Sequence, residues 1–314
     1  MRKVAVAFSR YAWAVLAYNL AVVLWGAYVR ATGSGAGCGN HWPLCNGEVA
    51  PHSPAAATII EFTHRITSGL DLALVAGLVV WAFRAFPRGH RVRRGAALSA
   101  VLLVTEALIG AALVLLQHVA GNTSLSRIYS LSTHLVNTLT LLACLTLTAW
   151  WGMGFPRGKF PADGGPGARR RTAWKAAASL GAVAILGVSG AIAALGATLF
   201  PAPSLAAGLA QDFDSASNAF VRLRLIHPVM AAAAGVWLAF YAASCAARRP
   251  DSRVHAYTTT ALLGAQILAG VLNLLLLAPV WMQLLHLLLA DLLWISLVLL
   301  CATMLAQRAE PKTA

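Results

Sequence analysis

Eight apolar stretches, each about as long as a bilayer is thick, constrain this chain more than anything else in it. They lie near 11–30, 63–86, 96–117, 131–152, 174–198, 225–246, 257–277 and 284–305. A spanning helix needs roughly 20 apolar residues. Only closed helices or closed barrels satisfy backbone groups inside lipid. The reading is an all-α integral membrane protein with eight transmembrane helices. Composition agrees: 11% of residues are charged, against about 25% in soluble domains.

The net charge of +14 raises nucleic-acid binding, and the placement of the charge argues against it. On an eight-span layout, 19 of the 24 basic residues fall on one side, at the N-terminus, after spans two, four and six, and at the C-terminus. Arg30, Arg65, Arg127, Arg222 and Arg224 fall on the other. The positive-inside rule then expects both termini in the cytoplasm of a plasma-membrane protein. The first span follows basic residues, as a signal peptide would, yet lacks a small-residue cleavage site, and it reads as a retained helix.

The linker 156–173, rich in Gly, Pro and Arg, separates an N-terminal half, 1–155, from a C-terminal half, 174–314. Landmarks recur in both. Gly26 precedes His64 as Gly190 precedes His227. Span three holds Glu106 and Gly110, and span seven holds Gln266 and Gly270. Spans four and eight carry His134 and His286. The expectation is two tandem four-helix bundles related by a pseudo-two-fold repeat, with the four glycines allowing close helix approach. Two loops on the non-cytoplasmic side are long, 31–62 and 199–224, so chemistry is expected there.

Four of the nine histidines fall within the first few residues of the even-numbered spans: His64, His134, His227 and His286. All four therefore sit at similar depth toward one face. Intramembrane ionisable groups mark function by default, and paired imidazoles from facing helices can ligate a haem iron axially. Zinc is the weaker choice, because no nearby carboxylate or thiolate completes a tetrahedral set in each half. His41, His52, His90, His118 and His255 lie in or beside loops and read as solvated. The halves differ chemically. Glu61 shares a helix face with His64 and Arg65, whereas the run 222–228 before and after His227 has no acid. This asymmetry points to reaction in the first half and an auxiliary role in the second; capping or an ion pair is the plainer account of Glu61. Arg65, Arg222 and Arg224 are candidates for haem propionates, or for snorkelling to water. Asp71, Glu106 and Asp291 are intramembrane acids with no assigned part. Cys144, Cys245 and Cys301 read as small hydrophobes. Cys38 and Cys45 share a loop on the disulfide-permissive side, as a structural or a redox-active pair.

Three segments together, Thr32–Cys38, Trp42–Gly47 and Glu61–Arg65, resemble the haem A synthase family, and the likeness extends over nearly the whole chain. The resemblance implies an oxidoreductase that converts haem O to haem A by oxidising a ring methyl to a formyl group, for terminal oxidase biogenesis. It implies that His64 and His134 frame the catalytic haem site and that His227 and His286 ligate a haem b. Glu61 takes the place of the family's essential carboxylate, and Cys38 and Cys45 that of a loop disulfide. Partners implied are the haem O substrate, an electron acceptor of unknown identity, haem O synthase and oxidase assembly proteins; a homo-oligomer is open. The loop 199–224 lacks the second cysteine pair that some members carry. Two other functions stand beside this one: a membrane electron carrier with two bis-histidine haems, and a transporter.

Overall fold

A computed structural model describes residues 2–52, 54–155 and 165–306. Among them the chain is all-helical, with no strand beyond one isolated bridge between Cys45 and Glu48. The helices are α1 (Arg2–Ala31), α2 (Ala56–Ala85), α3 (Arg91–Leu115), α4 (Leu125–Gly152), α5 (Gly165–Leu199), α6 (Leu205–Phe213), α7 (Ala219–Arg224), α8 (Ile226–Arg248), α9 (Arg253–Leu275) and α10 (Val280–Leu305). With α7 and α8 taken as one, eight of these are long and apolar enough to cross a membrane. The chain is a multi-pass membrane protein, as the apolar pattern predicts.

Every spanning helix runs beyond its apolar centre. Backbone hydrogen bonding continues through the interfacial turns, where long basic side chains reach water. The largest excesses are at α1, which starts at Arg2, and at α5, which starts at Gly165, so residues 165–173 of the expected linker are helical. Ala and Arg, strong helix formers, dominate that stretch. The rest of the linker, with Arg157 and Lys159, lies outside the described residues, as do Arg308 and Lys312.

The break between α7 and α8 has a local cause. Pro228 has no N–H to donate to the carbonyl of Arg224, four residues back, so the helix cannot run through unbroken. Asn218 Oδ1 caps α7 by accepting from Phe220 N at 3.0 Å. His90 Nδ1 caps α3 by accepting from Val92 N at 3.2 Å, and its ring stacks on Phe86.

Two groups of helices share one core. α1 to α4 form one bundle, and α5 with α7 to α10 the other. They meet along a seam where α1 and α4 lie against α5 and α10. The most buried side chains gather there and on α4 and α10, including Leu141, Leu142, Leu145, Leu297 and Leu300. Trp294 of α10 donates through its indole N–H to the Leu139 carbonyl of α4 at 2.7 Å. Peripheral helices α2, α3, α8 and α9 expose Leu70, Leu108, Phe240 and Leu268, side chains suited to lipid. The segments before α2 and between α5 and α7 lie on one face, called here the long-loop face.

Candidate functional site

All four intramembrane histidines lie six to nine residues inside their spans, counted from the long-loop face. Helices that alternate in direction bring them to one level.

In the C-terminal half, the rings of His227 and His286 are 6.5 Å apart between centres and nearly perpendicular, at 87°. An imidazole nitrogen bonds a metal at about 2 Å, and the ring centre lies about 1 Å beyond. Two axial imidazoles on one iron therefore stand about 6 Å apart. The separation of the two ring centres leaves room for one metal ion between them. Its surroundings are built for the rings. A Cβ placed on Gly190 would come within 2.9 Å of His227, and one on Gly270 within 3.1 Å of His286. Ser189 Oγ lies 3.0 Å from His227 Nδ1, the kind of outer partner that fixes a ligating imidazole. Gln266 Nε2 lies 3.2 Å from His286 Nε2.

In the N-terminal half, a Cβ on Gly26 would sit 3.0 Å from the His64 ring. The close approach expected at Gly26, Gly190 and Gly270 is present, in each case against a histidine ring. Gly110 is different: nothing lies within 4 Å of its Cβ direction, so the expected close approach at that glycine is corrected. The His134 ring turns instead toward Glu106, one turn earlier on α3, whose Oε1 is 3.1 Å from His134 Nδ1. His64, His134 and His286 each keep a buried Nδ1 with no hydrogen bond among the described residues. Buried polar atoms of this kind are costly unless something meets them. Among the described residues no group of three or more His, Cys, Asp or Glu side chains could hold a metal ion. Each half offers two imidazoles, a donor set that fits a haem and not a tetrahedral zinc.

Glu61 is buried one turn from His64. Its Oε2 accepts from Cys38 N at 2.9 Å, and its Oε1 pairs with Arg65 Nη2 at 2.5 Å. Arg65 also donates to the carbonyls of His41 at 2.8 Å and Leu44 at 2.7 Å. Cys38 and Cys45 are disulfide-bonded. The bridged loop thus lies directly over Glu61, held by the arginine beneath it. Contact is close: a Cβ on Gly37 would collide with the Ala57 carbonyl of α2.

The three arginines proposed for propionates differ. Arg65 is committed to Glu61 and the loop. Arg224 pairs with Asp212 and donates to the Gly208 carbonyl at 3.1 Å, tying α6 to α7. Arg222 is exposed. Sequence reasoning gave no role to Arg30, which crosses the seam from α1 to Gln283 of α10 at 3.2 Å and Thr198 of α5 at 3.5 Å. Among the unassigned acids, Asp71 accepts from Asn19 at 2.5 Å, and Asp291 is buried on α10. Of the histidines read as solvated, His52 is exposed and pairs with Glu48. The His52 hydrogen bonds hold the Glu48 carboxyl below its usual range. His118 is engaged by Ser130 at 2.7 Å and Ser126 at 3.0 Å, so it is a loop fastener.

Residues 9–298 match the family described as cytochrome oxidase assembly protein. This chain belongs to that family. A relative in Thermus thermophilus, named Protoheme IX farnesyltransferase, is 48% identical over 279 residues, covering 87% of this chain and 44% of that protein. The haem A synthase of Alkalihalophilus pseudofirmus is 44% identical over 95 residues, 30% of this chain and 32% of that one. The haem A synthase of Bacillus mycoides is 47% identical over 95 residues, 30% of each chain. This family member therefore spans less than half the length of the curated relatives it matches. More than half of the Thermus protein lies outside the match.

Proposed function

We propose that this protein is a haem A synthase: a membrane oxidoreductase that converts haem O to haem A by oxidising a ring methyl to a formyl group. The observation that carries this reading is the asymmetry of the two histidine pairs. Glu61 is a buried carboxylate one turn before His64, while the residue three before His227 is Arg224, committed to Asp212. On this reading the first half acts on the substrate and the second holds a cofactor.

On this reading His64 and His134 hold the haem O substrate, and His227 and His286 hold a haem b. Haem would supply redox chemistry at iron, and the electrons that the methyl-to-formyl conversion removes pass on to a separate electron acceptor. The chain's own groups do the rest. Cys38 N–H and Arg65 fix the Glu61 carboxylate at the reacting edge. From there it stabilises positive charge developing on the methyl carbon or takes a proton from the attacking water. The bridged loop covers the site, and Arg222 is left free for a propionate. The Gly26–His64 and Gly190–His227 contacts, and the seam in which α1 and α4 face α5 and α10, support a division into two repeated halves, 1–155 and 174–314. Basic residues on the face opposite the long loops support cytoplasmic termini in a plasma-membrane protein. The partners of this reading are haem O synthase, which makes the substrate, and the oxidase assembly machinery, which takes the product. A carrier moving electrons across the membrane would need haems toward both faces, and all four histidines lie toward one.

The test is complementation. A strain lacking haem A synthase should accumulate haem O, and this chain should restore haem A. Glu61→Gln should abolish conversion and leave the second-half haem spectrum intact. Haem A formation by Glu61→Gln at the native rate would overturn the catalytic assignment.

A further inference from the structure

The acid that sequence reasoning left idle, Glu106, occupies a worked position. Its carboxylate receives Asn137 Nδ2 at 2.5 Å and the Thr138 hydroxyl, and its Oε1 is 3.1 Å from His134 Nδ1. His134, Asn137 and Thr138 are spaced three and four apart on α4, so they share the face turned to Glu106 of α3. Asn137 Nδ2 also donates to the Leu102 carbonyl at 2.9 Å, which anchors the amide between the two helices. In the second half an amide, not an acid, stands beside the histidine. Gln266 of α9 meets the His286 ring at its other nitrogen, Nε2, at 3.2 Å, and the residues three and four beyond His286 are Leu289 and Ala290. An acid with two supporting donors thus stands beside one histidine, and an unsupported amide beside the other.

A carboxylate that accepts a hydrogen bond from a ligating imidazole raises the ligand's electron donation and fixes its orientation. Greater donation stabilises ferric over ferrous iron. We infer that Glu106 is the positioning residue of the first-half haem site. It takes the Nδ1–H of His134 after a small turn of the ring, holds that ring for ligation, and would make a bound iron harder to reduce than one held by His227 and His286. The inference rests on the haem reading above. It adds a division of labour: the two sites differ in potential because one histidine is backed by an acid and the other by an amide.

The experiment uses the purified full chain in detergent, loaded with protohaem and titrated in a spectroelectrochemical cell. The native chain should show two one-electron waves. His227→Ala should remove the higher one, which assigns the lower to the first half. Glu106→Gln should raise the lower wave by a tenfold or greater change in the ferric–ferrous equilibrium, about 59 mV per tenfold for one electron, with the other wave unmoved. Glu106→Asp should restore most of the native value. The reciprocal Gln266→Glu, in a chain with Glu106 intact, should lower the second-half wave. Should Glu106→Gln fail to fold, Gln266→Glu decides alone, and a second-half wave that stays or rises overturns the inference. Equal movement of both waves in Glu106→Gln, or none, also overturns it. A chain that takes up two haems with unshifted waves ends this inference alone. A chain that takes up no protohaem ends the haem reading and the inference together.

Discussion

Arg65 carries more structural duty than any other side chain at the site. It is 14% exposed and joins Glu61, at 4%, to two loop carbonyls. Removing one partner of a buried ion pair strands the other charge, at a cost of about 3 kcal/mol. Arg65→Ala should therefore lower the midpoint of thermal unfolding and, by releasing Glu61, reduce haem A formation. Arg65→Lys should recover only part of both, because an ammonium cannot repeat the guanidinium fork. Ser189 acts at the other pair. Ser189→Ala should weaken haem retention in the second half by about tenfold, measured by haem transfer to apomyoglobin, with the first-half spectrum unchanged. Gly190→Ala sets a Cβ 2.9 Å from the His227 ring. The ring must move, so this variant should lose the six-coordinate second-half spectrum while still folding. The four histidines and Glu61 were legible in the sequence because their depth follows from counting along helices. The Glu61–Arg65 pair was legible as well, four residues apart on one helix face; the loop carbonyls that Arg65 holds and the partners of Glu106 were not, because they depend on how neighbouring segments pack.

Among the elements, the two long loops are held by different means. Residues 38–45 are closed by the disulfide and pinned by Arg65. The loop is short, so the disulfide contributes about 2 kcal/mol. Cys38→Ser with Cys45→Ser should lower stability by about that amount and loosen the cover over Glu61, read as faster proteolysis near residues 39–50. In the other half, α6 is tied to α7 through Arg224 and Asp212, with no cysteine in the segment. Arg224→Ala should make residues 200–218 the first site of protease cleavage, without altering bound haem. A sequence pattern shows that these loops are long and which one carries cysteines. It does not show α6, nor that His118 ties the turn before α4 to Ser126 and Ser130. It also extends the linker through 173, where helix-forming residues let α5 begin at Gly165.

Across the molecule, the two bundles meet through α1, α4, α5 and α10. Trp294 makes a directional bond over that seam, worth about 1 kcal/mol. Trp294→Phe should destabilise the whole chain by that amount and leave unfolding a single transition, as expected where the seam is part of one core. Arg30 links the long-loop ends of the same helices, running from the turn above Gly26 to the turn before His286. The number of spans, the level of the histidines and the unequal chemistry of the two halves were set by the sequence alone, because hydrophobic length and helical periodicity are local properties. Which helices form the seam, which arginines are already committed, and which carboxylate stands behind His134 were decided only by tertiary structure. Those outcomes depend on helix rotation and packing between residues far apart in the chain, which no local pattern encodes.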